Sequence, residues 1–361
     1  MRMNEEIPGY SLREIGIEVP ESLIAQYPSE RRERSRLLIY GVRSGRIIDD
    51  RFYNLKEYIQ PTDCIVYNDA KVINARLRGH KLPTGARIEI LLLNQRSDTE
   101  WDCLIRPARR VKAETEIAIE ADSTAGLSIM VREVLGDGKF RVRFSEAIRY
   151  EDLKTVGTIP LPKYIRRPSE EIDDIRYQTV FSKKYGAVAS PTAGLHFTER
   201  AVREIRQKGA LWVPLTLHVD WGTFRPVREE DYRLHKIHKE EYEISLESAE
   251  RVNRSIEENR RVLCVGTTSV RALESAAVET GVPDKWVVRE GRSATDLYIY
   301  PGYRFRVAEG MITNFHLPDS TLILLVMAFA GVEGIRKVYQ HAVDEEYRFF
   351  SYGDAMLLLK D

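Results

Sequence analysis

The sequence predicts a mixed α/β protein with a small β-barrel inserted into its main domain. At 361 residues the chain is long for one hydrophobic core. Before about residue 72 and after about residue 157, apolar strands alternate with helical segments. Between these positions, short strands follow one another with turn residues between them, which is typical of a small barrel or sandwich. We therefore expect a discontinuous α/β domain, residues 1–71 and 158–361, and an inserted β-barrel domain, residues 72–157.

Composition and charge exclude several classes of protein. The chain is 43% hydrophobic and 30% charged, with 55 basic and 55 acidic residues, which argues against a uniformly basic nucleic-acid coat. No signal segment opens the chain, and the longest apolar run, residues 322–331, is about half of the ~20 residues that a membrane span needs. The three cysteines are scattered, without metal or disulfide spacing. We expect a cytoplasmic protein that does not contact a membrane.

The first 70 residues show the beginning of the α/β domain. A short helical segment around residues 21–26 precedes an arginine-rich stretch, residues 29–36, and a strand over residues 37–40. The arginines of this stretch alternate with glutamates, so they form either a self-paired helix face or a phosphate-binding loop. A buried strand over residues 63–67 then ends at Asn68-Asp69, a polar pair of the kind that meets ligands at strand ends.

The predicted barrel carries a local excess of positive charge. Its strands are expected at residues 72–79, 86–93, 101–106, 116–120, 127–134 and 139–144. Residues 71–112 contain ten Lys or Arg against four Asp or Glu. This excess is either a solvated strand face or a surface that binds a polyanion. The basic residues concerned include Arg76, Arg78, Lys81, Arg87, Arg106, Arg109, Arg110 and Lys112.

After the insertion, helices and strands alternate again. We expect helices over residues 199–208 and 246–259, capped by Thr198 and Ser245. Strands are expected over residues 211–219 and 261–266, and polar strand ends at 296–302 and 311–318. An apolar, deeply buried helix ends at residue 330 and is capped by Asp319 or Ser320. A helix over residues 335–345 and a last strand over residues 347–359 complete the chain.

Residues 189–198 have neither the period of a helix nor that of a strand. They place Ser190, Thr192, His196 and Thr198 around a proline and a glycine. A turn followed by a helix cap is the simple interpretation. The alternative is a ligand site, since hydroxyl and imidazole groups are directed donors and acceptors.

Other stretches repeat this polar, non-periodic character at strand ends. His218, Asp220, Thr223 and Arg225 follow one strand. Gly266, Thr267, Thr268 and Ser269 lie between a strand and a helix, a geometry that binds anions, although the P-loop lysine and the dinucleotide glycines are absent. Arg271 and Glu274 form a structural pair or face this site. Strand ends of this kind converge at one edge of an open sheet, so we expect a polar cleft for an anion-bearing small molecule, with histidines for proton transfer.

A metal site is not expected. His235 and His238 stand three residues apart near several glutamates. In a strand or loop, however, such residues point to opposite faces, which does not suit a pair of metal ligands.

Seven stretches, in register along the chain, resemble the S-adenosylmethionine:tRNA ribosyltransferase-isomerase family. They are Asn68-Asp69 and residues 191–198, 222–227, 265–271, 299–302, 312–318 and 347–354. The resemblance covers nearly the whole chain and departs at Asp220-Trp221, where a Gly-Leu pair is expected. It implies an α/β domain with an inserted β-barrel.

The resemblance also implies a reaction in queuosine biosynthesis. The ribosyl group of S-adenosylmethionine is transferred and isomerised onto the 7-aminomethyl-7-deazaguanine base of a tRNA anticodon, and adenine and methionine are released. No metal or redox cofactor is required, because the sulfonium is itself the activated group. We expect S-adenosylmethionine as the only co-substrate, tRNA as the partner, and a monomeric protein.

Such a reaction needs a base for the acidified ribose carbon and an acid for departing adenine. The candidates for proton transfer are His196, His218 and His316, with Asp69 or Asp354 orienting an imidazole or binding ribose hydroxyls. Thr267, Thr268 and Ser269, assisted by Arg271, are expected to hold the methionine carboxylate. Thr192 and Arg225 complete the substrate-binding set.

The RNA would contact the barrel and the arginine-rich stretch through phosphates, and aromatic side chains would stack on an unstacked base. The tRNA-binding candidates are Arg76, Arg78, Arg106, Arg109 and Arg110, and the stacking candidates are Phe197, Trp221, Phe224 and Phe315.

Three alternatives remain open at this stage. An RNA methyltransferase would share the co-substrate but should show a glycine-rich loop after its first strand, and none is found. An RNA-binding module without activity would leave the polar strand ends unexplained. A family member with another acceptor would carry Asp220 as its marker.

Overall fold

The computed structural model describes residues 10–120, 126–219, 222 and 226–361. Its strands are β1 (Arg36–Gly41), β2 (Ile47–Arg51), β3 (Cys64–Asn68), β4 (Ala70–Val72), β5 (Arg76–Lys81), β6 (Ala86–Gln95), β7 (Glu100–Arg106), β8 (Glu116–Ile119), β9 (Ser128–Gly136), β10 (Lys139–Phe144), β11 (Gly157–Thr158), β12 (Lys184–Ala187), β13 (Leu211–Leu217), β14 (Glu240–Ile244), β15 (Val262–Val265), β16 (Ala277–Glu279), β17 (Trp286–Val288), β18 (Gly291–Thr295), β19 (Gly310–Asn314) and β20 (Ala355–Leu359). Its α-helices are α1 (Leu153–Val156), α2 (Glu171–Arg176), α3 (Glu199–Gln207), α4 (Leu246–Glu257), α5 (Thr267–Ala276), α6 (Thr321–Ala330) and α7 (Val332–Asp344).

The main sheet has nine strands in the order β18-β14-β13-β3-β15-β19-β20-β1-β2. The four central strands β13, β3, β15 and β19 are parallel, and β20 is antiparallel to β19. Strand β1 runs parallel to β20. The carboxyl ends of the four central strands and the amino ends of β20 and β1 therefore lie at the same edge.

Both faces of this sheet are covered, which explains its continuous apolar runs. In β3, Cys64 and Val66 pack into a core together with α6 and α7, while Ile65 and Tyr67 pack into a second core that includes Phe197. Alternate side chains of a strand point to opposite faces, so a strand between two cores must be apolar at every position. The predicted mixed α/β fold is confirmed.

The barrel is closed by six antiparallel strands. Their order is β5-β6-β7-β10-β9-β8, and a pairing between β8 and β5 closes the ring. Strand β11 joins β5 at its amino end. Alternate residues of β6, such as Ile88, Ile90 and Leu92, fill the interior around Trp101. The expected β-barrel is confirmed, and the exact boundaries at 71/72 and 157/158 stay a prediction.

Most of the remaining predicted elements are present. The hydroxyl of Thr198 accepts a hydrogen bond from Ala201 N (3.1 Å), and Ser245 caps α4 in the same way. Ser320, rather than Asp319, caps α6, which is buried at every residue except Ala328. No α-helix in the described part of the chain is both long and apolar enough to span a bilayer.

Three local predictions are wrong. The segment around residues 21–26 contains only a one-turn 3-10 helix, Glu21–Leu23. Residues 296–302 follow β18 without forming a strand, because Leu297 N bonds to the Thr295 hydroxyl and turns the chain. The last strand begins only at Ala355, because Phe350 adopts a left-handed backbone conformation (φ 69°) that ends any extended run before it.

Candidate active site

Polar residues collect at one edge of the main sheet, as the sequence predicts. Four of them follow the parallel strands β3, β13, β15 and β19, and two precede the oppositely directed β1 and β20. Ligands bind at this edge in open α/β sheets. The residues are Asp69, His218, Thr267, His316, Ser35 and Asp354.

Two adjoining pockets form a cleft at this edge. We call the first the hydroxyl pocket, because it is lined by Ser190, Thr192, Thr267, Thr268 and Thr313 together with Gly266, Val219 and His316. We call the second the aromatic pocket, because it is lined by Tyr164, Phe315 and Phe350 together with Asn314, Ser351 and His316. Thr192, His316 and Leu322 line both pockets. A ligand that fills the cleft would therefore pass across His316.

Three buried polar atoms in this cleft have no hydrogen-bond partner among the described residues. They are Ser190 Oγ, Thr268 Oγ1 and Asn314 Oδ1. Their side chains belong to residues that are at most 7% exposed. An unpaired buried polar group costs about 1–3 kcal/mol, so three of them around one cleft indicate that a ligand supplies the missing partners.

The amino end of α5 opens into the hydroxyl pocket. Gly266 precedes the helix with a φ of 87°, a conformation that a glycine adopts without strain. It has no side chain to cap the helix, so the N–H groups of the first turn remain free for an anion. Thr267 and Thr268 line the pocket. The Ser269 hydroxyl instead donates within the helix to Val265 O (2.8 Å).

Arg271 and Glu274 point away from the cleft and do not pair with each other. The Arg271 guanidinium donates to the carboxylate of Glu240 and to Leu297 O (3.2 Å). Glu274 accepts from the Tyr303 hydroxyl and from three backbone N–H groups, those of residues 306–308. Both side chains therefore hold α5 to the loops behind it.

His316 has one ring nitrogen engaged and one without a partner in the described part of the chain. Its Nε2 lies 2.8 Å from Thr313 Oγ1. Its backbone N donates to the Tyr339 hydroxyl (2.6 Å), which in turn donates to its carbonyl (3.1 Å). Burial lowers the pKa of His316 to about 3, so the ring is neutral at pH 7. With the proton on Nε2, which then donates to Thr313 Oγ1, the neutral imidazole can accept a proton at Nδ1.

His196 is engaged at both ring nitrogens. Nε2 accepts from the Asn314 amide (3.2 Å), so Nδ1 carries the proton and donates to Ser35 Oγ (2.8 Å). The ring stacks on Phe52 at 5.1 Å. Burial, and then the positive charges of Arg32 and Arg348, lower its pKa to about 3. This is the geometry of an imidazole that joins three segments of the fold, and His196 lines neither pocket.

His218 and Asp69 are two further titratable residues along the edge, close enough for the Asp69 charge to act on the imidazole. The Asp69 carboxylate accepts from the Thr216 hydroxyl (2.6 Å), and burial raises its pKa. Burial lowers the pKa of His218, whose buried Nδ1 lacks a partner among the residues described. The ring packs on Gly186, where a Cβ would come within 3.0 Å of Nδ1.

The Asp354 carboxylate binds backbone N–H groups rather than an imidazole. Its two oxygens accept from Arg36 N (2.7 Å) and Arg348 N (2.8 Å), and burial raises the pKa of the carboxyl. These bonds attach the start of β1 to the loop that carries Phe350 into the aromatic pocket. The Phe350 carbonyl in turn accepts from the Asn314 amide (3.0 Å).

Comparison with known proteins identifies the family. A family model described as a queuosine biosynthesis protein matches residues 12–358. The chain belongs to this family.

Curated relatives agree with this assignment along the whole chain. The S-adenosylmethionine:tRNA ribosyltransferase-isomerase of Thermoanaerobacter sp. (strain X514) is 45% identical over 350 residues, 96% of this chain and 99% of the relative. The enzyme of that name from Clostridioides difficile (strain 630) is 44% identical over 347 residues, again 96% and 99%. The crystal structure of S-adenosylmethionine tRNA ribosyltransferase from Thermotoga maritima is 32% identical, with a TM-score of 0.52, and covers 97% of this chain and 100% of its own.

Several predicted residues of this queuosine biosynthesis protein are not brought into the cleft. Arg225, with Asp220, Trp221, Thr223 and Phe224, lies outside the described residues. Of the other stacking candidates, Phe197 is fully buried between Phe52 and Trp212, and Phe315 lines the aromatic pocket. Thr192 lines both pockets.

Sequence reasoning did not single out Asn314, Thr313 or Phe350. The first two are polar residues at the end of a strand that is otherwise buried, which is the signal that could have found them. Phe350 lies in an aromatic run without periodicity. No sequence signal distinguishes it from a core residue.

The predicted tRNA-binding arginines all lie on the barrel. Arg76 is bound to Glu89 (3.1 Å) and to Leu161 O (3.4 Å). Arg78, Arg106, Arg109 and Arg110 are exposed and make no salt bridge within the described ranges. In the arginine-rich stretch, the Arg32 guanidinium donates to the carbonyl groups of Ile175 and Leu195 and so links the two segments that carry them.

The His235-x-x-His238 pair is not part of a metal cluster in the described ranges. No group of three or more His, Cys, Asp or Glu side chains is arranged there to hold a metal ion. His235 Nδ1 instead lies 2.6 Å from Glu229 Oε2.

Proposed function

We propose that this protein transfers and isomerises the ribosyl group of S-adenosylmethionine onto the 7-aminomethyl-7-deazaguanine base of a tRNA anticodon, giving epoxyqueuosine-tRNA, adenine and methionine. The observation that carries the proposal is the cleft with its three unpartnered polar atoms, in a chain that is 45% identical to a ribosyltransferase-isomerase. S-Adenosylmethionine is the only co-substrate in this proposal, and the activation of its ribose comes from its own sulfonium group.

The amino end of α5 binds the methionine carboxylate in our proposal. The free N–H groups of the first turn and the helix dipole favour an anion there. The hydroxyls of Thr267 and Thr268 face the same pocket, and Thr192 and Ser190 lie across it. Ser269 and Arg271 support this turn from behind, through Val265 O and Glu240.

His316 is the proton-transfer residue of the proposal. It lies between the two pockets, and its free nitrogen takes the proton from the ribose carbon next to the sulfonium. Because it also lines the aromatic pocket, it can return that proton to adenine as adenine departs. Thr313 holds the ring through Nε2. In this scheme the purine ring packs against the adjoining rings of Tyr164 and Phe350, whose centroids are 4.9 Å apart, and Asn314 Oδ1 accepts from its amino group.

The other candidates have different roles. His218, with Asp69 beside it, accepts the proton of the incoming aminomethyl group, which must be neutral to attack. His196 and Asp354 are positioning residues, because their polar atoms are bound to protein groups on both sides.

The tRNA lies along the barrel in this proposal. The two domains, residues 1–71 with 158–361 and residues 72–157, then divide chemistry and RNA binding between them, in a cytoplasmic monomer. Arg78, Arg106, Arg109 and Arg110 contact phosphates, and RNA binding is salt-sensitive.

The test is an incubation with S-adenosylmethionine and an anticodon stem-loop that bears 7-aminomethyl-7-deazaguanine. Adenine release together with an RNA mass that gains the ribosyl-derived unit supports the proposal. A stem-loop with guanine in place of the modified base is the matched control and should not react, because it has no aminomethyl nucleophile. A methylated RNA with S-adenosylhomocysteine would instead show a methyltransferase. RNA binding without turnover would show another acceptor or a binding module.

A further inference from the structure

A basic pocket lies at one end of the barrel, outside the cleft. It has a volume of about 540 Å³ and is lined by Lys81, Thr84, Ala86, Arg109, Arg110, Val111 and Lys112. We infer that this basic pocket binds the phosphodiester backbone of the RNA, at a point remote from the base that reacts. The inference rests on the proposed function and adds a specific binding site to it.

The pocket is built from three parts of the barrel. Lys81 ends β5, Thr84 lies in the turn to β6, and the 3-10 helix Ala108–Arg110 follows β7. Lys81 Nζ donates to Arg110 O (2.8 Å), which fixes the turn against the 3-10 helix. The side chains of Arg109, Arg110 and Lys112 are exposed around the opening. Their long side chains therefore border an open pocket that solvent and ligands can reach.

The charges of this pocket are not balanced by carboxylates. None of its four basic side chains makes a salt bridge to the residues described. Of the acids at this end of the barrel, Glu114 lies 3.6 Å from Arg132 and Glu116 accepts from the Ser128 hydroxyl, while Asp137 lies in the β9–β10 turn. The whole chain has no net charge, so this positive surface is local, and its potential favours the approach of an anion.

The pocket lies at the end of the barrel that is farther from the junction with the main domain. Arg76, at the amino end of β5, is next to β11 and the return to the main domain, and Lys81 is at the other end of the same strand. The length of this strand is roughly 17 Å. A small anion cannot reach both sites, whereas an RNA whose reacting base lies in the cleft can extend along the barrel to this pocket. Phosphates are the RNA groups that Arg and Lys bind irrespective of sequence.

The experiment compares RNA binding by the full-length chain and by the double variant R110Q and K112Q. Both side chains are exposed, so the fold should tolerate the exchange. Fluorescence anisotropy with an unmodified full-length tRNA, at several salt concentrations, measures the dissociation constant. We expect roughly tenfold weaker binding at low salt, and a slope of log K against log salt that is smaller by about 1 to 2.

The matched control removes two charges from the main domain. Lys285 and Lys337 are exposed on that domain, so K285Q with K337Q changes the net charge equally. This control should leave the dissociation constant and the salt slope unchanged. An R110Q and K112Q variant that binds the tRNA like the unaltered chain, or a control that weakens binding equally, overturns the inference.

Turnover separates this inference from the proposed function. With limiting RNA, the R110Q and K112Q variant should release adenine roughly tenfold more slowly than the unaltered protein, because its binding of the backbone is weaker. Unaltered binding by the variant, with normal turnover, would refute the basic pocket alone. Absence of turnover in both proteins would refute the proposed function.

Discussion

Replacement of His316 by glutamine should remove the proton-transfer group and leave the fold intact. The glutamine amide can keep the 2.8 Å contact to Thr313 Oγ1, and its volume fits a residue that is 8% exposed. General acid–base catalysis contributes about 10²- to 10⁴-fold, so we expect a loss of that size in kcat. The dissociation constant for S-adenosylmethionine should change little, because the methionine carboxylate is bound at α5.

The pH dependence of the unaltered enzyme gives a second, independent expectation. Burial lowers the pKa of His316 from 6.5 to about 3, a change that corresponds to about 5 kcal/mol against protonation in the folded state. The ring is therefore neutral from about pH 5 upwards. His316 should therefore cause no inflection near pH 6.5 in the pH dependence of kcat. Any inflection that the unaltered enzyme shows there should also be present in H316Q.

Single-turnover adenine release, measured from pH 5 to 8 with enzyme in excess, tests both expectations. T313V is the graded control: the imidazole remains but loses its hydrogen bond at Nε2, so we expect a loss of roughly tenfold. An H316Q variant that keeps more than a tenth of the unaltered rate would refute the assignment of His316. An inflection near pH 6.5 that is lost in H316Q would refute the argument from burial.

Three further variants test neighbouring parts of the site. In T268V, the KM for S-adenosylmethionine should rise several-fold in steady-state assays. The free energy of unfolding should rise by about 1 kcal/mol, because the lost hydroxyl is buried without a partner in the described structure. The pKa of His196 is about 3 in the folded state and 6.5 in the unfolded state, so its neutral ring stabilises the fold above pH 6.5, and this stability is lost as the pH falls towards 3. In H196Q, the loss of stability between pH 7 and pH 5, measured by urea denaturation, should therefore be about 2 kcal/mol smaller than in the unaltered protein. In D354N, the amide group must face the N–H of Arg36 or Arg348, so urea denaturation should show about 3 kcal/mol less stability; a loss under 1 kcal/mol would contradict this account.

Local sequence was sufficient for most helices and strands. Thr198, Ser245 and Ser320 are cap residues whose bonds reach only three residues ahead, so the pattern around each one contains the information. The barrel strands were equally clear, because alternate apolar residues such as Ile88 and Ile90 must enter one interior. The wrong strand end at 296–302 has the opposite cause, because its tyrosines contact a distant residue and not a neighbouring strand. The Tyr300 ring packs on Tyr232, and the Tyr298 hydroxyl donates to Tyr232 O.

The convergence of the polar strand ends could also be predicted, because parallel strands share one edge. The sequence could not separate the three histidines, since each follows or precedes a strand in a similar polar stretch. His196 is bound by Ser35, 161 residues before it, and by Asn314, 118 residues after it. His316 has a local partner, Thr313, and keeps a nitrogen free.

The sequence by itself therefore determined the family, the two kinds of domain and the edge at which the site lies, because motifs, periodicity and caps are properties of neighbouring residues. Only the tertiary structure decided which polar atoms are free to bind a ligand. Whether Arg271 faces a substrate or Glu240, and whether Asp354 binds a ribose or two backbone N–H groups, depends on partners from distant parts of the chain. The hydrogen-bonding capacity of a side chain is fixed by its type, but its availability is fixed by what the fold places beside it.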